Sequence, residues 1–277
     1  MSFDRYRVQS AVEIDIGCTD LAKWKSYLHM FKDYEVTDLR REKLLVELKK
    51  DASDLYFKAV LSLADVINSL VYGRHSWPVI KVYYAVFFLQ RCSLATRNIA
   101  FLKNNGIYTL NLEKGEKPKR RDTGTHMGEK VSGDHKTTIV TFMSVFSDTD
   151  ILLTNTINGK NIYDWLMNLR NQVNYRERTF TEPNNKYFFS SLFDKTQLKK
   201  QVEIYLNDDT SVYCFDEDHC ALAAPLKLIT NVRQQLFDFI DFEPIEPRKK
   251  IEIEKLISEA KLTQSEAFKN LYDFGRS

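Results

Sequence analysis

Between Leu39 and Leu102 the chain carries apolar residues at spacings of three and four, with one pause at Gly73. Nothing else in the sequence constrains the fold as much. Leu48, Ala52, Leu55, Ala59, Leu63, Val66, Ile67 and Leu70 keep this rhythm, which places them on one stripe of a helix from about Leu39 to Tyr72. Gly73 can take the positive φ that commonly follows a helix end. A second helix is predicted to open at Ser76-Trp77-Pro78, where the serine can cap a free amide and the proline needs no donor. It continues from Val79 to about Leu102 and is apolar nearly all round at first, so it must be surrounded. Two long helices joined by a few residues run antiparallel. Residues 39–103 are therefore expected to form one long helical hairpin.

The remaining sequence points to a mainly α protein, a helical bundle built on that hairpin. Nine glycines and six prolines in 277 residues are too few for the turns of a sandwich or barrel. Further helices are predicted over residues 20–34, where Leu21, Trp24, Leu28 and Phe31 share a face, and over 136–146, 161–178 and 218–242. Gly106–Leu112 alternates like a short strand. The polar stretch from Glu113 to Lys136 holds four glycines and no apolar period, as a functional or mobile loop would. Residues 185–217 hold two apolar runs around Asn207-Asp208-Asp209-Thr210 and read as a small β-hairpin insertion. Pro244 and Pro247 break the pattern. Residues 1–242 are thus expected to form the helical domain, and 248–277 a helical tail that either folds back or binds a partner.

Forty basic and 38 acidic side chains leave a net charge of +2, which gives no general attraction to nucleic acid or anionic lipid. The amino-terminal MSFDRYRVQSAVEIDIG has no apolar core of a signal peptide. The most apolar run, Val79–Leu89, is eleven residues and contains Lys81, whereas a bilayer span needs roughly 20. Cys18, Cys92, Cys214 and Cys220 show no paired spacing and are expected as free thiols in a reducing compartment. A cytoplasmic location without membrane association follows as an expectation.

The segment Leu169-Arg170-Asn171-Gln172-Val173-Asn174-Tyr175-Arg176 carries the most functional information. Wound at about 100° per residue, Ile162, Trp165, Leu166, Leu169 and Val173 form the packing stripe. Arg170, Asn174 and Glu177 lie along its shoulder, and Asn171, Tyr175 and Arg178 face away. An arginine at such a shoulder can bury its stem and present its guanidinium in a crevice.

The Tyr83-Tyr84-Ala85-Val86-Phe87-Phe88 run in the hairpin, followed by a helix reading Leu-Arg-Asn-x-x-x-Tyr, resembles the HEPN superfamily of all-α domains over about residues 40–180. Members of that family are metal-independent RNases, toxins with a partner antitoxin, and parts of antiviral defence systems. Their sites form where two copies of the late helix meet across a dimer. The resemblance implies that Arg170 takes the arginine position, Asn171 the polar neighbour, and Tyr175 the place where the family carries histidine.

That departure bears on chemistry. Metal-free RNA cleavage needs a base for the 2′-hydroxyl, an acid for the leaving oxygen and a cation for the phosphate. Arginine supplies the cation and histidine the acid and base. Tyrosine, with an ordinary pKa of about 10, is a poor base at neutral pH. Two readings stay open. In one the protein is an accessory or bridging subunit of a bacterial anti-phage defence or toxin complex, working beside an ATPase or nuclease and contacting RNA or DNA without cutting. In the other it is a homodimeric endoribonuclease in which His126 or His135 acts as base. Arg170 could equally be held in a structural ion pair.

Weaker signals lie elsewhere in the chain. Lys117, Lys119, Arg120 and Arg121 in the glycine-containing loop, with Arg176 and Arg178 at the end of the late helix, could form a phosphate patch. Interleaved Glu113, Glu116, Asp122 and Glu129 make an ordinary solvated loop the simpler reading. Cys214, His219 and Cys220 lack the spacing of a zinc site. No metal and no cofactor is expected, and no phosphate loop, serine-hydrolase elbow or zinc-protease motif is present.

Overall fold

A computed structural model describes residues 5–18, 20–180, 182 and 186–276. The chain runs α1 (Arg7–Asp15), a 3-10 turn (Leu21–Tyr27), α2 (Leu28–Lys32), α3 (Asp38–Val71) and α4 (Ser76–Thr96). Strands β1 (Ile99–Lys103), β2 (Ile107–Asn111), β3 (Lys119–Arg120), β4 (Thr125–His126) and β5 (Glu129–Lys130) follow, then α5 (Gly133–Phe146) and α6 (Ile162–Asn171). After α6 come α7 (Lys195–Leu206), α8 (Cys220–Phe239), α9 (Pro247–Ile257) and α10 (Glu266–Lys269). The protein is mainly helical, with the long α3–α4 hairpin and a small antiparallel sheet. Among the described residues no helix is long and apolar enough to cross a membrane.

The described residues fall into two compact units. One comprises the chain up to Asp54 together with Gln90–Val145; the other comprises Leu55–Leu89 and the chain from Phe146 onward.

In the first unit, α1 is tied to β1 by a two-way side-chain bond. Gln9 Nε2 donates to the Lys103 carbonyl at 3.2 Å, and the Lys103 amide donates back to Gln9 Oε1 at 2.7 Å. Asp51 accepts the amides of Arg7 and Val8 at 2.8 and 3.0 Å, satisfying donors that the start of α1 cannot pair internally. Here α4 stops six residues before the expected end at Leu102. Asn98 adopts φ +61°, a conformation Asn tolerates better than most side chains, and the chain turns into β1. The Asn104-Asn105-Gly106 loop reverses it into β2, with Lys103 opposite Ile107. The expected strand at Gly106–Leu112 is β2, paired with β1 on one side and β3 on the other.

The stretch from Glu113 to Lys136 is not a bare loop. Besides β3 it holds the β4–β5 hairpin, whose turn residues Met127 and Gly128 have φ +50° and +79°, the positive pair that matches strand twist. At the amino end, residues 1–4 lie outside the described residues, as does the side chain of Leu21. The helix expected over 20–34 is a 3-10 turn started by Asp20, which accepts the Ala22 amide at 3.0 Å, followed by α2.

In the second unit, Leu55, Ala59, Leu63, Val66, Ile67 and Leu70 of α3 are all buried. Lys58 Nζ lies 5.8 Å from the Phe88 ring and Lys81 pairs with Asp65, so charged stems as well as apolar faces join the two helices. Gly73 has φ +67° and its amide donates to Leu70 O at 3.0 Å, ending α3 as expected. The start of α4 is a correction. Ser76 does not cap it with its hydroxyl; the Glu182 carboxylate accepts the amides of His75 and Ser76, each at 2.7 Å.

A second correction concerns residues 185–217, which hold no strand among those described. Lys195–Leu206 is the helix α7, opened by Asp194, which accepts the Thr196 amide at 2.7 Å. Leu198, Val202 and Tyr205 are buried at helical spacing, and that period outweighs the β-branched and aromatic content of the run. Asn207–Thr210 does form a turn, with Asp208 accepting the amides of Thr210, Ser211 and Tyr213. Beyond the proline break, Pro247 occupies the first turn of α9, where a missing amide costs nothing. Ile253, Ile257, Phe268, Leu271 and Tyr272 are buried. Tyr56 donates to Leu271 O at 2.7 Å, and Lys250 meets Asp273 at 2.8 Å.

Candidate functional site

Helix α6 is held firmly at its start. Asn161 Oδ1 accepts the Asp164 amide at 2.9 Å, and its Nδ2 donates to Asp164 Oδ2 at 2.8 Å. One turn in, Tyr163 is fully buried and donates to Asp150. Burial pushes the Asp150 carboxyl above its usual range, against the bond from Tyr163 and the Leu152 amide. Ile162, Leu166 and Val173 are buried as the packing stripe requires. Trp165 and Leu169, expected on the same stripe, instead line an open cleft of about 390 Å³ with Asn168 and Gln172. Lys160, Lys186 and Tyr187 line the same cleft.

The helix does not continue to Arg178 in α form. Gln172–Arg176 is a π turn, closed by the Glu177 amide on Gln172 O at 3.0 Å. In an α-helix a residue five places on lies about 140° around the axis; the wider π turn brings it back towards the same side. Tyr175 is accordingly found with its ring centre 5.1 Å from the Arg170 guanidinium carbon, not facing away from it.

Arg170 is half-buried and surrounded by tyrosines. Its Nη1 donates to Asn171 Oδ1 at 2.8 Å and its Nη2 to Tyr84 Oη at 3.2 Å. The rings of Tyr83 and Tyr84 lie 5.6 and 5.7 Å from the guanidinium carbon. Nε of Arg170 is buried without a hydrogen-bond partner among the described residues. Tyr83 is buried, Tyr84 half-buried, and Tyr175 is 68% exposed, forming the outer cover. The three predicted residues Arg170, Asn171 and Tyr175 are thus together, joined by Tyr83 and Tyr84 from the aromatic run. No carboxylate or imidazole is bonded to Arg170 among the described residues.

Beyond the π turn, Glu177 accepts from Tyr187 and lies 3.6 Å from Lys186 Nζ. Burial and that hydrogen bond together push the Tyr187 phenol well above its usual range. Arg176 and Arg178 are exposed.

The other predicted residues belong to the first unit. Lys117 lies 3.8 Å from Asp33, Lys119 is 2.6 Å from Glu116, and Arg120 is 2.8 Å from Asp122. Arg121 Nε donates to Thr109 Oγ1 at 2.8 Å. Each of these four basic groups therefore has a partner within the first unit. His126 sits on β4 and His135 in the first turn of α5.

The cysteine–histidine cluster of the second unit is aromatic in character. His219 Nδ1 is 2.7 Å from Tyr205 Oη, and its ring packs 4.0 Å from Phe189 and 5.0 Å from Tyr213. Cys214 and Cys220 are buried, and burial is the main reason their thiols are pushed up, that of Cys214 to about 12. Among the described residues no group of three or more His, Cys, Asp or Glu is placed to hold a metal ion.

Sequence reasoning missed two things here. The Glu182 cap joins residues far apart in sequence and left no local signal. The π turn likewise follows no residue rule. No protein-family model matches the chain, and no curated protein or solved structure gives a significant match.

Proposed function

We propose that this protein is a non-catalytic, HEPN-like accessory or bridging subunit of a bacterial anti-phage defence or toxin complex. On this reading the Arg170 helix organises contacts with other subunits, or touches RNA or DNA without cutting it, and an ATPase or nuclease partner supplies the chemistry. One observation carries the non-catalytic part. The guanidinium that would meet a phosphate already bonds Asn171 and Tyr84 under the Tyr175 ring. The groups around it are an amide and phenols, which offer no proton shuttle working near neutral pH. The family assignment rests on the aromatic run and the Leu-Arg-Asn-x-x-x-Tyr spacing.

The alternative is a metal-independent endoribonuclease with a composite dimer site, in which Arg170 meets the phosphate and His126 or His135 serves as base. Incubating purified protein with single-stranded and structured RNA in excess EDTA separates the two. Intact RNA is expected. Cleavage that vanishes in Arg170→Ala would replace the accessory reading with the nuclease.

A further inference from the structure

Elsewhere in the second unit, exposed aromatic rings lie close in the chain to exposed arginines that form no ion pair among the described residues. Trp77, in the first turn of α4, is 52% exposed and Phe180 is 38% exposed. Their rings meet edge to face with centres 5.4 Å apart. The Glu182 carboxylate, bonded to the His75 and Ser76 amides, fastens the chain just beyond Phe180 to the start of α4. Tyr72, five residues before Trp77, is 55% exposed, and Lys195 Nζ lies 5.4 Å from its ring centre.

Arg74, Arg176 and Arg178 flank these rings in the chain and are exposed. None of the three forms an ion pair among the described residues. The acids nearest them in sequence are occupied elsewhere, Glu177 with Tyr187 and Lys186, Glu182 with the two amides of α4. Exposed Trp and Tyr with Arg is the composition of interface hot spots. Guanidinium groups lacking internal partners favour carboxylates, which they can grip in two-point bonds.

We infer that this surface docks an acidic segment of a partner protein, one that sets aromatic or aliphatic side chains against Trp77 and Phe180 and carboxylates against Arg74, Arg176 and Arg178. The inference rests on the partner-binding reading above but not on Arg170. A peptide is favoured over a nucleic acid strand because the Trp77 and Phe180 rings pack edge to face with centres 5.4 Å apart, whereas bases stack on open ring faces.

The test is fluorescence anisotropy on the full chain with a labelled peptide of alternating Glu, Phe, Asp and Leu, at about 0.15 M salt. A peptide with Lys in place of the acids and an oligouridylate of equal length serve as comparisons. The acidic peptide is expected to bind best. Trp77→Ala and the double variant Arg176→Glu/Arg178→Glu should each weaken it by about tenfold or more. The double variant changes only exposed groups, so it keeps the test decisive if Trp77→Ala folds poorly. Equal binding of acidic and lysine peptides, or binding of neither, overturns the inference. Tighter oligouridylate binding, lost in the same variants, overturns it in favour of nucleic acid. None of these outcomes depends on whether RNA is cut.

Discussion

Arg170 Nη2 donates to Tyr84 Oη across a separation of 86 residues in sequence, so the late helix and the α4 aromatic run hold each other by a charge-assisted bond. Removing the acceptor with Tyr84→Phe should lower stability by about 1–2 kcal/mol. Tyr175→Ala removes an exposed cation–π partner and should cost under about 1 kcal/mol. Urea denaturation of the two variants checks the order. A larger loss for Tyr175→Ala would mean that the outer ring, and not the hydrogen bond, fixes the guanidinium.

Glu182 caps α4 from a distant loop. Glu182→Ala leaves two amides at the helix start without their acceptor and should cost about 1–2 kcal/mol. The same variant should loosen Phe180 from Trp77 and raise proteolysis near residue 180. Unchanged thermal stability together with unchanged proteolysis would remove Glu182 from this role.

Acid should weaken the Asp208 turn. Burial pushes this carboxyl up, but bonds from the Thr210 hydroxyl and the amides of Tyr213, Thr210 and Ser211 outweigh it, leaving the pKa below its ordinary value. A depressed folded-state pKa contributes stability that is full above the unfolded value of about 4 and is lost as pH falls through the folded one. Asp208→Asn should therefore flatten the fall in stability between about pH 5 and pH 3. A variant with the parent's slope would show that other carboxylates set the acid limit.

The tail is part of the second unit's core. Phe268 is fully buried, and Phe268→Ala should cost about 3–5 kcal/mol. A chain ending at residue 242 would lose the Tyr56–Leu271 bond and the α9 and α10 side chains, and is expected to lose cooperative unfolding. A truncated chain that melts like the parent would contradict this.

All four cysteines are buried, and burial raises each thiol above its usual range. Thiolate is the reactive form, so a chromogenic disulfide reagent should label none of them quickly before unfolding. One fast-reacting thiol in the native protein would point to local opening around that residue.

The hairpin was legible because a long repeat of apolar residues admits one answer, and Gly73 announced its turn. β2 was legible from alternation. The end of α4 was not: Phe101 and Leu102 suit a helix as well as a strand, and Asn98 decides the matter through a backbone angle. Residues 195–206 misled because Val202, Ile204 and Tyr205 favour strands locally, while the buried set Leu198, Val202 and Tyr205 is helical. Of the site, Arg170 was expected on the shoulder of α6 and is half-buried there, whereas Asn171, expected to face away, accepts a hydrogen bond from Arg170. Tyr84 was visible only as one aromatic in a run, since its bond to Arg170 depends on tertiary packing.

The π turn after α6 also affects how this site could be recognised in other chains. It spends one residue more per hydrogen-bonded loop than an α turn does. Deleting one residue from 172–174 would rewind the segment as α-helix and place the tyrosine four positions after the arginine, about 40° around the axis and still on the same side. Relatives sharing the same covered arginine could thus show its aromatic lid at a different offset. The spacing between the two is a property of helical winding and not a fixed count, so a pattern that demands one interval would pass over chains with the same arrangement.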